Sequence, residues 1–191
     1  MEPSDLELWQ SAAKGDARSF HVLVDRHTPG MMRIALGLSR TRSDAEDVCQ
    51  ETFIAAYKSL KTFDGRASVK TWLTRILMRR AAKLWNKQKH DRKTFPIHKN
   101  DNSGDSDSMM GHEQSAGFVT PSNTTAIDQR LDLMEVIQTL PEEFRETIIL
   151  REVDGLSYQE IADVLEVPRG TVESRIFRAR AELRKKLSGY G

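Results

Sequence analysis

Two clusters of side chains in this 191-residue chain have the types and spacing to grip a polyanion. The first lies in "GLSYQEIADVLEVPRGTVESRIFRARAELRKKL", residues 155–187. Arg178 has the donor fork for a guanine edge, Glu173 can accept from a cytosine amino group, and Phe177 can touch a thymine methyl. Arg169, Thr171, Ser174 and Arg175 flank them, while Arg180, Arg184, Lys185 and Lys186 suit phosphates. The second cluster spans Lys61 to Lys93, where eleven basic side chains face only Asp64 and Asp91, a net charge of +9. Arg75, Arg79, Lys83 and Asn86 recur there at steps of three and four and can track a phosphate chain. Ahead of them, Phe63, Asp64 and Arg66 in "FDGRAS" form a loop whose ring can receive an unstacked base. The bland alternative makes Phe63 a core cap and the cations a solubilising face.

A third cluster has the opposite character. In "RSDAEDVCQETFIAAYKSL", residues 42–60, Asp47, Gln50, Glu51, Ile54 and Lys58 share one helix face. An acidic face with an exposed isoleucine suits a basic protein surface rather than DNA. On the other face Ala45, Cys49, Phe53, Ala56 and Leu60 point inward, which makes Cys49 a small core residue.

The net charge of +1 hides this distribution. Residues 94–128 carry −4, residues 130–168 carry −7, and residues 169–186 carry +5. Two basic segments separated by acidic ones are the footprint of two contacts with a polyanion. One cysteine excludes an internal disulfide or a multi-cysteine zinc site, and the five histidines lack ligand spacing, so no metal or cofactor is expected. Apolar runs are too short to span a membrane, and "MEPSDLELWQ" lacks a signal region, so the reading is cytoplasmic. No phosphate loop or nucleophile-and-base arrangement points to an enzyme.

The elements that must position these side chains read as all-α. Apolar residues recur at helical spacing from Asp5 to Leu23 and again from Met31 to Leu38. A third helix follows, with Ser43 as N-cap and Glu46 completing a capping box. Val69, Trp72, Leu73, Ile76, Leu77 and Leu84 mark a fourth. Periodicity then disappears through a Gly/Ser/Asp-rich stretch and resumes near Ile127, so residues 94–127 read as a flexible acidic linker between two small helical domains. In the second domain, Pro141 opens one helix and Gly155 closes it. Ser157 and Glu160 form a capping box for the next. The break Glu166-Val167-Pro168 leads to a longer helix that buries Val172, Ile176, Ala179, Leu183 and Leu187. Helix, tight turn and longer basic helix make a helix-turn-helix.

With these motifs in place, "LREVDGLSYQEIADVLEVPRGTVESRIFRAR" closely resembles the promoter-recognition domain of bacterial sigma factors of the extracytoplasmic-function (ECF) type. "DAEDVCQETFIAAY" and "FDGRASVKTWLTRI" resemble that family's core-binding and promoter-melting segments, and the resemblance covers all but the linker. It implies that residues 1–93 bind core RNA polymerase and recognise and melt the −10 element, with residues 128–191 recognising the −35 element. Asp47, Gln50, Glu51 and Ile54 would dock on the β′ clamp helices, and the β flap would be a second polymerase contact. Phe63, Asp64, Arg66, Lys70, Arg75, Arg79 and Lys83 would serve −10 DNA. Arg169, Thr171, Glu173, Ser174, Arg175, Phe177 and Arg178 would serve −35 DNA. The group resembled, which includes envelope-stress sigma factors, also implies an anti-sigma partner, often membrane-anchored. Four positions depart from the resemblance. Arg79 stands where relatives often have Asn, Lys83 where they have Asp, Glu166 where they have Gly, and Glu173 where they have a basic residue. The rival reading is an autonomous helix-turn-helix regulator, which leaves the basic N-terminal helix and the acidic face unexplained.

Overall fold

A computed structural model describes residues 2–94 and 134–187, with side chains from 87 to 94 left aside. The described residues are helical and contain no strand. Four helices make the first domain: α1 (Asp5–Ala13), α2 (Ala17–Leu38), α3 (Arg42–Lys58) and α4 (Val69–Thr94), with a 3₁₀ turn over Leu60–Thr62. The second contains α5 (described over residues 134–138), α6 (Glu142–Glu152), α7 (Tyr158–Leu165) and α8 (Arg169–Leu187). The expected linker lies outside the described residues from 95 onward, as does the expected helix start near Ile127.

Local signals set most boundaries. Ser4 caps α1 through a reciprocal box with Glu7, its amide donating to Glu7 Oε2 at 2.7 Å. The chain turns at Gly15 (φ +106°), and Asp16 caps α2 by accepting from the Arg18 amide at 3.0 Å. The break therefore falls at Gly15, and the expected gap between Leu23 and Met31 does not exist. Instead, α2 runs straight through Pro29. An interior proline costs about 3 kcal/mol, but Leu23, His27, Met31, Ile34 and Leu38 form one continuous buried stripe across it. That burial outweighs the lost backbone bond.

The α3 cap also differs from expectation. Thr41, not Ser43, accepts from the Asp44 amide at 3.1 Å, so the helix begins two residues earlier. Glu46 is then free of capping duty and pairs with Arg42 at 2.8 Å. In the second domain the Ser157–Glu160 box forms as read from sequence, with the Ser157 amide donating to Glu160 Oε2 at 2.8 Å. Gly155 (φ +73°) turns the chain after α6, and α7 ends at Leu165, one residue before Glu166.

The first core joins Leu23, Met31, Ile34 and Leu38 to Ala45, Val48, Cys49, Leu73 and Leu77. The second joins Ile148, Ile149 and Leu150 to Ile161, Val172 and Ile176. Leu187 is not buried with it but stands exposed at the edge of an apolar groove that it lines with Ile137, Ile148 and Leu183. The two cores are continuous. Ile149 of α6 presses on Gly37 of α2, where a Cβ would stand 2.9 Å from Ile149 Cδ1. Beside it, Gln138 Nε2 donates to the carbonyls of Gly37 (2.6 Å) and Ser39 (2.9 Å). Arg145 of α6 lies over the buried Trp85 ring of α4, 5.1 Å from its centroid.

Candidate nucleic-acid and protein-binding surfaces

The helix-turn-helix presents its second helix outward. Val172, Ile176 and Ala179 fasten α8 to the core, while Glu173, Ser174, Phe177 and Arg178 face solvent. Phe177 is 70% exposed, far more than a ring of that size needs for packing, and it stands beside Arg178. Among the described residues, no carboxylate pairs with Arg178. The helix start is braced by Arg169 Nε donating to Glu173 Oε1 at 2.9 Å, and Ser174 Oγ donates back to the Thr171 carbonyl at 2.9 Å. Glu173 is therefore already engaged by Arg169, which limits its freedom to accept from a base. Thr171 is half-buried. Arg175 is turned aside, with its side chain 21% exposed and its guanidinium 3.3 Å from Glu143 of α6. Arg180 likewise pairs with Glu152 at 2.6 Å. Both arginines mount α8 on α6 in this structure.

The basic stripe on α4 is divided rather than continuous. Lys70 Nζ donates to the Asp154 carbonyl at 2.7 Å and lies 2.9 Å from its carboxylate, whose side chain is 2% exposed. Burial pushes the Asp154 carboxyl above its ordinary range, and Lys70 draws it part of the way back. Arg79 pairs with Glu166, whose carboxyl this hydrogen bond holds below the usual range. Arg75 is half-buried, and its Nε has no partner among the described residues. Lys83 instead lines a cleft of about 200 Å³ against α3, together with Asp47, Glu51 and Arg80. The apolar side of α4 buries Val69, Leu73 and Leu77 as expected, and also Met78, Ala81 and Trp85. Trp72, Ile76 and Leu84 are only partly buried.

The loop ahead of α4 is self-supporting. Asp64 accepts from the Arg66 amide at 3.1 Å and pairs with its guanidinium at 3.2 Å. Gly65 adopts φ +74°, and Ser68 Oγ accepts from the Thr71 amide at 3.0 Å to start the helix. Phe63 packs edge-on against Trp9 (4.9 Å) and Trp72 (5.6 Å), and those two rings are 4.5 Å apart. Such pairs contribute about 0.5–1.5 kcal/mol each beyond burial. Phe63 is half-buried, so it caps a core trio and still presents part of its ring to solvent.

On α3, Asp47, Gln50, Glu51 and Ile54 are all exposed on one side, while Ala45, Val48, Cys49, Thr52 and Ala56 are buried. Burial raises the Cys49 thiol, consistent with an inert core residue. Glu51 has Arg80 at 3.9 Å, a loose contact across the cleft. Tyr57 is 53% exposed beside Ile54 at 47%, resting on Phe20 at 5.1 Å. The face is thus acidic with an aromatic and aliphatic centre, the composition of a protein-binding patch. Its i, i+3 spacing from Ile54 was the available signal for Tyr57.

Among the described residues no group of His, Cys, Asp and Glu gathers to hold a metal ion, and no helix is long and apolar enough to cross a membrane.

Comparison with known proteins fits these surfaces. A family model described as Sigma-70 region 2 matches residues 23–90, and one described as Sigma-70, region 4 matches residues 130–183. The chain is 33% identical to the RNA polymerase sigma-H factor of Pseudomonas aeruginosa, over 97% of this chain and 95% of that one. It is 34% identical to the ECF RNA polymerase sigma-E factor of Haemophilus influenzae (96% and 95% covered) and 35% identical to that of Escherichia coli K12 (96% and 94%). Among solved structures, CnrH in complex with the cytosolic domain of CnrY matches with a TM-score of 0.71 and 27% identity, covering 98% of this chain and 99% of that one. The sigma factor RpoE in complex with the anti-sigma factor NepR from Bartonella quintana has the same fold, with a TM-score of 0.67 at 24% identity, covering 90% and 98%.

Proposed function

The chain belongs to the sigma-70 family of RNA polymerase sigma factors, in the extracytoplasmic-function group, and from that premise we propose how its surfaces divide the work of initiation. It is an alternative sigma factor, a specificity subunit and not an enzyme, that binds core polymerase and directs it to promoters. Residues 1–93 dock on core polymerase and take the −10 element, residues 94–127 connect, and residues 128–191 read the −35 element.

In this scheme Asp47, Gln50, Glu51 and Ile54, joined by Tyr57, meet the β′ clamp helices, and the second domain meets the β flap. Phe63 and the Asp64–Arg66 loop receive the −10 base, with Lys70, Arg75, Arg79 and Lys83 along the phosphates. On α8, Phe177 and Arg178 are the base readers, while Thr171, Ser174, Arg169 and Glu173 set the approach. Arg175 joins them only by exchanging Glu143 for a phosphate. An anti-sigma factor regulates the chain, as the NepR complex of a similarly folded sigma factor illustrates. Anchoring of that regulator at the membrane, with the chain itself cytoplasmic, is part of the same proposal.

The observation that carries this division is the coexistence of an outward-facing reading helix and an outward-facing acidic-apolar face on one chain. A free-standing repressor has no use for the second. Run-off transcription with core polymerase over a randomised promoter library tests it. The purified chain should bind promoters tightly only when core is present. Glu51→Lys should weaken core binding while leaving the fold and isolated −35 binding intact. Transcription from no promoter, or tight duplex binding by the chain alone, overturns the reading.

A further inference from the structure

We infer that Trp9 is a positioning residue for −10 recognition: α1 carries it against Phe63 and so fixes the ring on which an unstacked base is received. The inference rests on the assignment of Phe63 to the −10 base. The match to Sigma-70 region 2 begins at residue 23 and takes in none of α1. Three rings from three elements nonetheless meet here. Trp9 of α1 stands 4.9 Å from Phe63 at 61° and 4.5 Å from Trp72 of α4 at 75°. Phe63 and Trp72 are 5.6 Å apart at 65°. Every pair is edge-on, an arrangement that the quadrupoles of aromatic rings favour.

Phe63 is the member that needs holding. Before it, the Thr62 amide and hydroxyl both donate to the Ser59 carbonyl, at 2.9 and 2.8 Å, and close the 3₁₀ turn. After it, the bond from the Arg66 amide to Asp64 is local, and Gly65 at φ +74° follows a path that glycine adopts freely. These bonds set the course of the chain but not the ring, which turns about two side-chain torsions. Trp9 and Trp72 meet that ring at steep angles, and the rest of its surface faces solvent. A ring already held in one orientation can stack on a base without first being ordered, which is the gain from preorganisation.

The fold fixes Trp9 in turn. The residue is 3% exposed, and α1 packs on the 3₁₀ turn that leads into Phe63. With nine residues, α1 is too short to hold its own shape in water, so its anchors place it. Asp5 accepts from Arg26 Nη1 at 2.5 Å and lies 2.8 Å from His27 Nε2, both on α2. Arg26 Nη1 also donates to the Pro3 carbonyl at 3.2 Å. Trp72 shares α4 with the cations assigned to phosphates, so its loss would disturb ring and stripe together. Trp9 shares its helix with none of the residues assigned to DNA or polymerase, and its route to DNA runs through Phe63.

Holoenzyme assembled from the full chain and core polymerase tests this on forked promoter DNA whose −10 non-template strand carries an abasic site at each position in turn. The ratio of dissociation constants, abasic over intact, measures what each base contributes. The unaltered chain should give a ratio of about tenfold or more at one position, as expected for one stacked base. Phe63→Ala should bring that ratio close to unity. Trp9→Leu should lower it about two- to tenfold, the effect of having to order a side chain that the free protein no longer holds. Trp9→Phe, which keeps an aromatic edge, should restore most of it. The double variant Trp9→Leu/Phe63→Ala should match Phe63→Ala alone, because a residue that acts through another adds nothing once the other is gone. Affinity for core should not change. If Trp9→Leu misfolds and loses core, Trp9→Met, whose flexible side chain fills the same space, decides the matter. A full ratio in the non-aromatic variants, an equal loss at every −10 position, or additive losses in the double variant would each overturn the inference. A full ratio in Phe63→Ala would instead overturn the assignment of Phe63 to the base, and this inference with it.

Discussion

Helices α4 and α8 both carry cations suited to DNA, yet the fold presents them in opposite ways. On α8 the acids of the same domain bind the arginines at the margin, Arg175 through Glu143 and Arg180 through Glu152, and the centre of the reading face stays open. On α4 the acids of the other domain bind Lys70 and Arg79, within the stripe itself. Local charge density does not separate the two helices. What separates them is which carboxylates the fold delivers to which turn. The exposed pairs contribute only about 0–1 kcal/mol each, so phosphates can replace their carboxylates readily. Lys70–Asp154 differs, because loss of Lys70 leaves a buried carboxylate unpaired, a cost of about 3–5 kcal/mol. An open helix and an occupied stripe therefore coexist on one chain.

The largest effect should come from collapsing one side of this contrast. Ile176 is 2% exposed and joins α8 to α6 and α7. Ile176→Ala should cost about 2–5 kcal/mol of stability in the second domain. Thermal unfolding should fall sharply, −35 binding should go with it, and binding of core polymerase through α3 should survive at temperatures where the first domain remains folded. A uniform loss of both activities at low temperature would mean that the first domain needs the second in order to fold.

A smaller and more selective change sharpens the open side. Arg178→Ala should cost about 1–3 kcal/mol at one base pair if the guanidinium is bidentate. Binding to a panel of single-base −35 variants distinguishes the cases. Loss confined to one position marks a base reader, and equal loss across the panel marks a phosphate contact.

The contrast itself was only half legible in the sequence. Periodicity with capping chemistry fixed α7, the three-residue break and the outward side of α8, because those signals lie within a few residues of each other. The acidic side of α3 was legible for the same reason. Its start was misplaced by two residues because Thr41 and Ser43 are equally good caps until backbone direction chooses between them. The continuity of α2 through Pro29 and the burial of Thr71 and Thr74 were not legible. Periodicity reports that a face is buried, not what covers it, and a threonine such as Thr74, whose hydroxyl donates to the Lys70 carbonyl of its own helix, carries no apolar mark. Likewise, Lys70 and Asp154 are 84 residues apart, and no local rule pairs them.

The smallest effect concerns the mount of α8 and is read by pH. Glu146 of α6 is largely buried, and that burial, reinforced by Glu142, pushes its carboxyl up to about 7. Arg175 and Arg145 pull the other way, and Glu143 adds to the rise. Between its ordinary value of 4.5 and about 7, the folded chain holds a proton that the unfolded chain has lost. Stability therefore falls as pH rises through that window and stays lowered above it. Glu146→Gln removes the titration and keeps the shape, so it should stabilise the protein more at pH 8 than at pH 5. The difference should be about 1 kcal/mol once residual contact with water is allowed for. Paired thermal melts at the two pH values measure it. Because Glu146 lies beside Arg175 rather than beside Lys70 or Arg79, the variant should alter −35 binding near neutral pH and leave −10 oligonucleotide binding unchanged. If both responded together, the occupied stripe and the open helix would be coupled through α6, not merely joined to it.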